Sequence, residues 1–261
     1  MSFAALIAGA EPLTNGFGVA IPETWHQGRT AYGGLSAALA LEAARKLGGA
    51  DLAPLRSATV DFIGPVQGMV EARARVERKG KNATWIAAEL THVGKVVLGA
   101  RFVFMAPIAS ELDLPGCPRP ADVIPVAAAA PYKPHVNMPV FLGNHFEIRF
   151  ALPRSAEKQP SICWWVRLRE PDGIDPLTRM LLIADTLPPG VLPLLSPATP
   201  VSSMTWLANF LTAKPQTRDG WWLMSDSGEA AQGGCASERL DIWNADGEHM
   251  VSGMQAVAVF G

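Results

Sequence analysis

The residue best suited to chemistry is an aspartate at the end of an apolar, helix-like run. Asp185 follows residues 180–184 and precedes Leu187, and at helical spacing it shares a stripe with Leu181 and Leu182. Apolar surroundings raise the pKa of a carboxyl group, and the partial negative charge at a helix C-terminus raises it further. Such a carboxylate suits a general base near neutral pH. The same spacing also fits an aspartate that points to water at the last turn.

A second group of candidates lies in strand-like segments of the second half. Gln255 interrupts an apolar run, and a buried amide must find partners, so it either orients a water or a carbonyl or bonds to a loop backbone. Ser202, Ser203 and Thr205 share another run, in which a regular strand turns Ser202 away from the other two. One of these hydroxyls is a candidate to complete a site that holds a water.

A third group precedes a long run rich in alanine and leucine. Tyr32, Gly33 and Gly34 are candidate substrate-binding residues, because the free N–H groups at a helix start are donors for a developing oxyanion. Glycine also lets a substrate carbonyl approach the backbone closely. The structural alternative is a tight turn in which glycine is needed for a positive φ.

Metal and cofactor chemistry has no support in the sequence. The five histidines (His26, His92, His135, His145 and His249) have no metal-ligand spacing, and the three cysteines form no Cys-x-x-Cys pair. There is also no phosphate-binding glycine loop and no Gly-x-Ser-x-Gly nucleophile motif. We therefore expect no metal and no cofactor.

The composition bounds the partners and the compartment. The chain has 261 residues, 49% of them hydrophobic, and a net charge of −2, so nucleic acid and anionic membranes are poor partners. Widely spaced cysteines fit a reducing cytoplasm. No apolar stretch reaches about 18 residues, so we expect no membrane span. The N-terminal residues 1–11 are expected to pack on the body as a helix or arm rather than to act as a signal peptide.

The elements that must position these residues occur twice. A buried helix over 35–47 precedes four strands, and a helix over 177–186 precedes four more, as the turn signals and apolar periodicity predict. The predicted strands are at about 56–63, 69–79, 82–93 and 96–106, then 199–210, 221–226, 234–244 and 248–260. The last strand of each half follows a similar sequence pattern, at 94–106 and 247–261. Aligning Gly94 with Gly247 and Gly99 with Gly253 makes Arg101 equivalent to Gln255.

The repeat predicts an α+β fold in which an antiparallel sheet wraps round a helix in each half. The predicted boundaries are an N-terminal unit at 1–107, a proline-rich linker at 108–140 and a C-terminal unit at 141–261. The linker is apolar, so we expect it to lie against the protein.

Three segments resemble acyl-CoA thioesterase II-like proteins. These are residues 31–44 (Ala-Tyr-Gly-Gly-Leu-Ser-Ala-Ala-Leu-Ala-Leu-Glu-Ala-Ala), 222–227 and 246–255, and the similarity spans about 16 to 261. The resemblance implies a double hotdog fold, with two antiparallel sheets each wrapped around a long central helix. It implies hydrolysis of a fatty or other acyl-CoA thioester to free acid and CoA, without metal or covalent intermediate.

The resemblance also implies roles for the candidates. Asp185, Gln255 and one of the three hydroxyl residues hold the attacking water, and surface Arg or Lys side chains meet the CoA phosphates. The family often has an Asp-His pair where this chain has Ser203-Met204, which leaves the third residue open. The expected partner is acyl-CoA, and a homo-oligomer is a further expectation.

Two alternatives remain at this stage. The first is a hotdog hydratase or dehydratase acting on enoyl or hydroxyacyl thioesters, an enzyme that generally pairs a histidine with a carboxylate. Five residues after Asp185 this chain has Gly190 and not a histidine, which counts against this alternative. A non-catalytic protein that binds acyl-CoA or lipid is the other alternative, in which Asp185 and Gln255 only satisfy each other.

Overall fold

The computed structural model describes residues 1–133, 138–197 and 199–260. His135 and part of the predicted linker therefore lie outside the described residues. The helices are α1 (Phe3–Ala8), α2 (Gly33–Gly48), α3 (Val140–His145) and α4 (Pro176–Ala184). The strands of the first half are β1 (Glu11–Leu13), β2 (Gly16–Ala20), β3 (His26–Gln27), β4 (Thr30–Ala31), β5 (Leu55–Phe62), β6 (Met69–Lys79), β7 (Ala83–His92) and β8 (Lys95–Met105). Those of the second half are β9 (Phe146–Phe150), β10 (Ser161–Leu168), β11 (Val201–Phe210), β12 (Trp222–Gln232), β13 (Cys235–Asn244) and β14 (His249–Val259).

The two main helices follow from local sequence signals. Helix α2 is buried along most of its length, as its apolar circumference predicts, and it ends at Gly48, followed by the capping residue Gly49, whose φ is 79°. Helix α4 begins at Pro176 because the Asp175 side chain accepts hydrogen bonds from the N–H groups of Leu177 and Thr178. It ends before Pro188, which cannot continue a helix.

The strands form one continuous antiparallel sheet rather than the two sheets that the resemblance implies. Within the described residues, twelve strands follow the order β1-β2-β6-β7-β8-β5-β11-β14-β13-β12-β10-β9, and β3 and β4 form a separate hairpin. The halves join where β5 pairs with β11, from Asp61 opposite Thr205 to Ser57 opposite Asn209. The edge-strand N–H and C=O groups of each half are satisfied by the other half, so the sheet does not divide. The helix of the second half is also short, at 9 residues against 16 in α2.

Helices α2 and α4 pack with opposite chain directions, and both ends of the pair are tied by polar contacts. At the start of α2, the Tyr32 hydroxyl donates to the Leu182 carbonyl oxygen at 2.8 Å. At the other end, the Arg45 guanidinium contacts the Asp175 carboxylate at 2.8 Å, and the Thr178 hydroxyl donates to Glu42 at 2.8 Å. The end of α4 is therefore held beside the start of α2.

The peripheral segments lie on this framework. The N-terminal segment forms α1, with Phe3 and Leu6 buried, as expected. In the predicted linker, the Trp165 indole donates to the Ile124 carbonyl oxygen at 2.8 Å and Ala129 is buried, so this part lies against the second half. The linker boundaries themselves stay a prediction. No helix in the described ranges is long and apolar enough to cross a membrane.

The predicted equivalence of Arg101 and Gln255 is wrong, because the first side chain points to solvent and the second points into the protein. Arg101 is paired with Thr59 and is exposed, with its guanidinium 2.7 Å from Glu77. Gln255 is paired with Trp206 and is buried. Neighbouring residues of a strand face opposite sides, so a one-residue difference in register separates these two positions.

Candidate active site

Asp185 is the residue that immediately follows α4, and it lies at the start of α2. The Gly34 N–H donates a hydrogen bond to its carboxylate, and the Gln255 side chain donates a second. Burial raises the pKa of Asp185 to about 7, although both hydrogen bonds act in the opposite direction. The carboxyl group therefore changes its charge close to neutral pH, as the sequence predicts from the apolar surroundings.

Gln255 connects this carboxylate to a hydroxyl group. The residue lies on β14 and is 6% exposed, and its Nε2 donates to the Asp185 Oδ1 at 3.4 Å. Its Oε1 accepts from the Ser203 Oγ at 2.9 Å. The ionised carboxylate fixes the direction of the amide, because it can only accept, so Gln255 turns its NH₂ group to Asp185 and its oxygen to the Ser203 hydroxyl, which donates.

A β-bulge separates the three candidate hydroxyls. Ser203 is opposite Val257 and Thr205 is opposite Ala256, so Met204 is the extra residue on β11. Ser203 and Thr205 therefore do not share a face, contrary to the regular-strand expectation, and Thr205 is exposed. Ser202 lines the same cavity as Asp185, but its hydroxyl bonds to the Ser203 carbonyl oxygen rather than to Gln255.

The three residues at the start of α2 have different roles. Tyr32 is fully buried and its hydroxyl is engaged by the carbonyl oxygen of Leu182, so this side chain supports the site and does not line the cavity. Neither Gly33 nor Gly34 has a positive φ, so the tight-turn alternative is wrong. A Cβ at Gly33 would lie 2.4 Å from the Asp185 Oδ2, and one at Gly34 would lie 2.6 Å from the Leu182 carbonyl oxygen. Glycine is needed here for close approach.

A cavity of about 440 Å³ borders part of this group of residues, and Tyr32, Gly34 and Gln255 are not among the residues that line it. Its wall includes Asp185, Ser203 and Gly33, together with Phe62 from β5 and Pro189 from the segment after α4. Both halves of the chain thus contribute to the wall. Within the described residues no group of three or more His, Cys, Asp or Glu side chains is arranged to hold a metal ion.

Arg29 is a cavity residue that the sequence analysis did not single out. It lies in the turn of the β3–β4 hairpin, is exposed, and is the only cationic side chain among the described residues of the cavity wall. Arg29 lies four residues before Gly33 in the sequence, and β4 connects the two positions.

A larger cavity lies elsewhere in the second half. It measures about 680 Å³, and its wall includes Phe150, Trp164, Cys163 and Pro193. None of the predicted site residues lines it. Because chemistry needs the carboxylate, we take the smaller cavity beside Asp185 as the candidate active site.

Each half of the chain matches a family model of acyl-CoA thioesterases. Residues 21–105 match the family model described as the acyl-CoA thioesterase N-terminal domain, and residues 120–259 match the acyl-CoA thioesterase C-terminal domain. No curated protein matches the chain.

Solved structures with similar folds cover nearly the whole chain. A hot dog fold protein of unknown function from Alicyclobacillus acidocaldarius has a TM-score of 0.86 at 18% identity, covering 100% of this chain and 99% of its own. Acyl-CoA thioesterase II TesB2 from Mycobacterium marinum has a TM-score of 0.70 at 18% identity, covering 98% and 97%. A tesB protein of Mycobacterium avium subspecies paratuberculosis has a TM-score of 0.74 at 17% identity, covering 100% of both chains. At these identities the likeness establishes the hotdog fold alone.

Proposed function

The chain belongs to the acyl-CoA thioesterase family, and on this premise we propose that it hydrolyses an acyl-CoA thioester to a free acid and CoA. The observation that carries the proposal is the hydrogen-bonded series of Ser203, Gln255 and Asp185 beside a cavity. A carboxylate whose pKa is raised towards neutrality is the base that water activation requires.

The proposed reaction needs only these groups and a water. Asp185 takes a proton from the water as its oxygen attacks the thioester carbonyl carbon, and Gln255 orients that water. The tetrahedral intermediate then collapses, the carbon–sulfur bond breaks, and the CoA thiolate takes the proton back from Asp185. Ser203 acts by donating a hydrogen bond to the Gln255 Oε1, which holds the amide in place beside Asp185.

The two parts of the substrate would meet different surfaces. The Gly34 N–H is occupied by Asp185, so Gly33 is the glycine we propose for close approach of the thioester carbonyl. About 13 bonds separate the thioester sulfur from the first CoA phosphorus, a length of about four extended residues or roughly 14 Å. Arg29 precedes Gly33 by four residues, and we propose that it meets the phosphates.

The hydratase alternative has less support in the geometry. Its chemistry pairs a carboxylate with a histidine, and no histidine belongs to the described residues that line the cavity. A non-catalytic binding protein would use the same cavity, so the structure alone does not distinguish it from an enzyme. Measuring whether the bound thioester is hydrolysed distinguishes the two.

A direct test measures thiol release from a panel of acyl-CoAs by the wild type and by Asp185→Asn. We expect the wild-type kcat/KM to rise with pH through an apparent pKa of about 7, the pKa to which burial raises Asp185. The variant should lose at least about a hundredfold in kcat. Unchanged turnover in the variant would remove the proposed base, and tight binding of acyl-CoA without turnover by the wild type would favour a binding protein.

The stability of the same variant serves as the folding control. Because burial raises the pKa of Asp185 above its unfolded value, the wild type loses stability as the pH rises from about 4 to about 7. Asparagine does not ionise, so Asp185→Asn should be at least as stable as the wild type at pH 8. Equilibrium unfolding in urea at pH 5 and pH 8 measures this difference.

A further inference from the structure

Two carboxyl side chains are buried beside the proposed site and take no part in the reaction above. Asp226 on β12 is 1% exposed and Glu238 on β13 is 0% exposed. Glu238 is the cross-strand partner of Gln255, so both side chains lie on the inner face of the sheet. Burying a carboxyl group raises the free energy of the folded state unless the group is hydrogen-bonded. The hydrogen-bond partners of these two residues are therefore the key to their role.

Those partners are backbone N–H groups of the segment that follows α4. The Gly190 N–H donates to the Asp226 Oδ1 at 3.3 Å and to the Glu238 Oε2 at 3.1 Å. The Val191 N–H donates to the Glu238 Oε1 at 3.1 Å. Two carboxyl groups from the sheet thus bind the chain five to six residues after Asp185.

The backbone of the same segment also lies close to the backbone of β12 at Gly190. A Cβ at Gly190 would lie 2.8 Å from the Asp226 carbonyl oxygen and 2.9 Å from the Gly228 nitrogen. One residue earlier, Pro189 lines the cavity of the proposed site. The segment is therefore fixed to the sheet at the point where it leaves the cavity wall.

We propose that Asp226 and Glu238 are positioning residues: by binding the segment that follows Asp185, they keep the Asp185 carboxylate within reach of Gln255. This inference rests on the proposed thioesterase function. Neither residue lines the cavity, so they act through the segment and not on the substrate.

The charges around the pair are consistent with this role. Burial, together with the charge of Glu238, raises the pKa of Asp226 to about 9, and Asp185 is the other ionisable group that acts on it. The Asp226 side chain is also hydrogen-bonded to Glu238, and both Glu238 oxygens accept from backbone N–H groups. Glutamine at position 238 would offer one acceptor oxygen and would turn an NH₂ group towards a backbone N–H.

The test follows the titration of Asp185 by carboxyl ¹³C NMR, with Asp185→Asn used to assign its signal. In Glu238→Gln we expect the pKa of Asp185 to fall by about one unit or more, because a released segment admits water to the carboxylate. Asp226→Asn keeps an oxygen to accept from the Gly190 N–H and supplies an NH₂ donor for Glu238, so the pKa of Asp185 should stay near 7. In thiol-release assays, Glu238→Gln should lower kcat at least about tenfold while KM changes by less than about threefold.

A second variant approaches the contact from the segment. Gly190→Ala introduces a methyl group at the position where there is no room, and it should lower the pKa of Asp185 in the same direction as Glu238→Gln. The matched control is Asp241→Asn, which changes another buried carboxylate of β13, one that is bonded to His249 and Arg239. It should lower the melting temperature and leave both the Asp185 titration and kcat unchanged.

The outcomes separate the two proposals. A lowered pKa of Asp185 in Glu238→Gln or Gly190→Ala, but not in Asp241→Asn, supports positioning even if the wild type hydrolyses no thioester, in which case only the proposed function fails. An Asp185 titration that stays unchanged in both variants while the protein remains folded overturns the positioning role, whatever the activity.

Discussion

At the scale of single residues, the molecule places a carboxylate, an amide and a hydroxyl in series. Sequence patterns predicted Asp185 and Gln255 as site residues, because each interrupts an apolar run. They did not choose among Ser202, Ser203 and Thr205, since the bulge at Met204 depends on how β11 pairs with β14. Asp226 and Glu238, which we propose as positioning residues, were not singled out from the sequence, although each occupies an inward position of an alternating strand beside buried Met224 and Leu240. That alternation was the available signal.

A residue-scale prediction concerns Arg29. Arg29→Ala should raise KM for an acyl-CoA about tenfold, because a charge-assisted contact with phosphate is lost. The same variant should leave KM unchanged for the N-acetylcysteamine thioester of the same acid, which has no phosphate. Lys81→Ala removes an equal charge from the β6–β7 turn and serves as the control. Equal effects on both substrates would show that Arg29 does not contact the phosphates.

At the scale of elements, the strands were the most predictable part. The observed bounds of β5, β6, β7 and β8 differ from the predicted ones by one residue at most, because glycine turns and alternation mark each end. The predicted end of β12 was about six residues early, since residues 227–232 continue the strand with a bulge at Glu229. Helix pairing was not predictable from local patterns, because it depends on contacts such as that of Tyr32 with Leu182, which are 150 residues apart.

An element-scale prediction concerns the contact between α2 and α4. Gly34→Ala should destabilise the protein by about 1–3 kcal/mol, because the new methyl group would overlap the Tyr32 hydroxyl and the Leu182 carbonyl oxygen. Chemical denaturation measures the loss, and the released Asp185 should also lower kcat. Gly99→Ala is the control, since a Cβ there meets its nearest atom at an ordinary 3.8 Å. Equal stability of the two variants would contradict the close approach of the helices.

At the scale of the whole molecule, the two halves combine into a single hotdog-fold body with an asymmetric pair of helices. One end of the pair carries the proposed site, which draws Arg29, Gly33 and Gly34 from the first half and Asp185, Ser203 and Gln255 from the second. The other end is closed by the contacts of Arg45 with Asp175 and of Thr178 with Glu42. Family membership was predictable from the motifs, whereas the continuity of the sheet was not, because it depends on the pairing of β5 with β11. The oligomeric state stays a prediction.

A whole-molecule prediction follows from this asymmetry. A non-hydrolysable thioether analogue of acyl-CoA should bind with a stoichiometry of one per chain, because polar side chains occupy the opposite end of the helix pair. Isothermal titration calorimetry measures the ratio, and Lys81→Ala should give the same value. Two equivalent sites per chain would contradict the single-site arrangement.

The joint between β5 and β11 also bears on how this protein avoids aggregation. The outer edges of the sheet are protected: β1 is short and contains Pro12, and the backbone N–H groups of Phe150 and Tyr132 pair β9 with the chain at 130–132. The middle strands have no such protection of their own. A fragment containing only the first half would present β5 as an open template, so it would recruit another chain instead of remaining a soluble half-molecule.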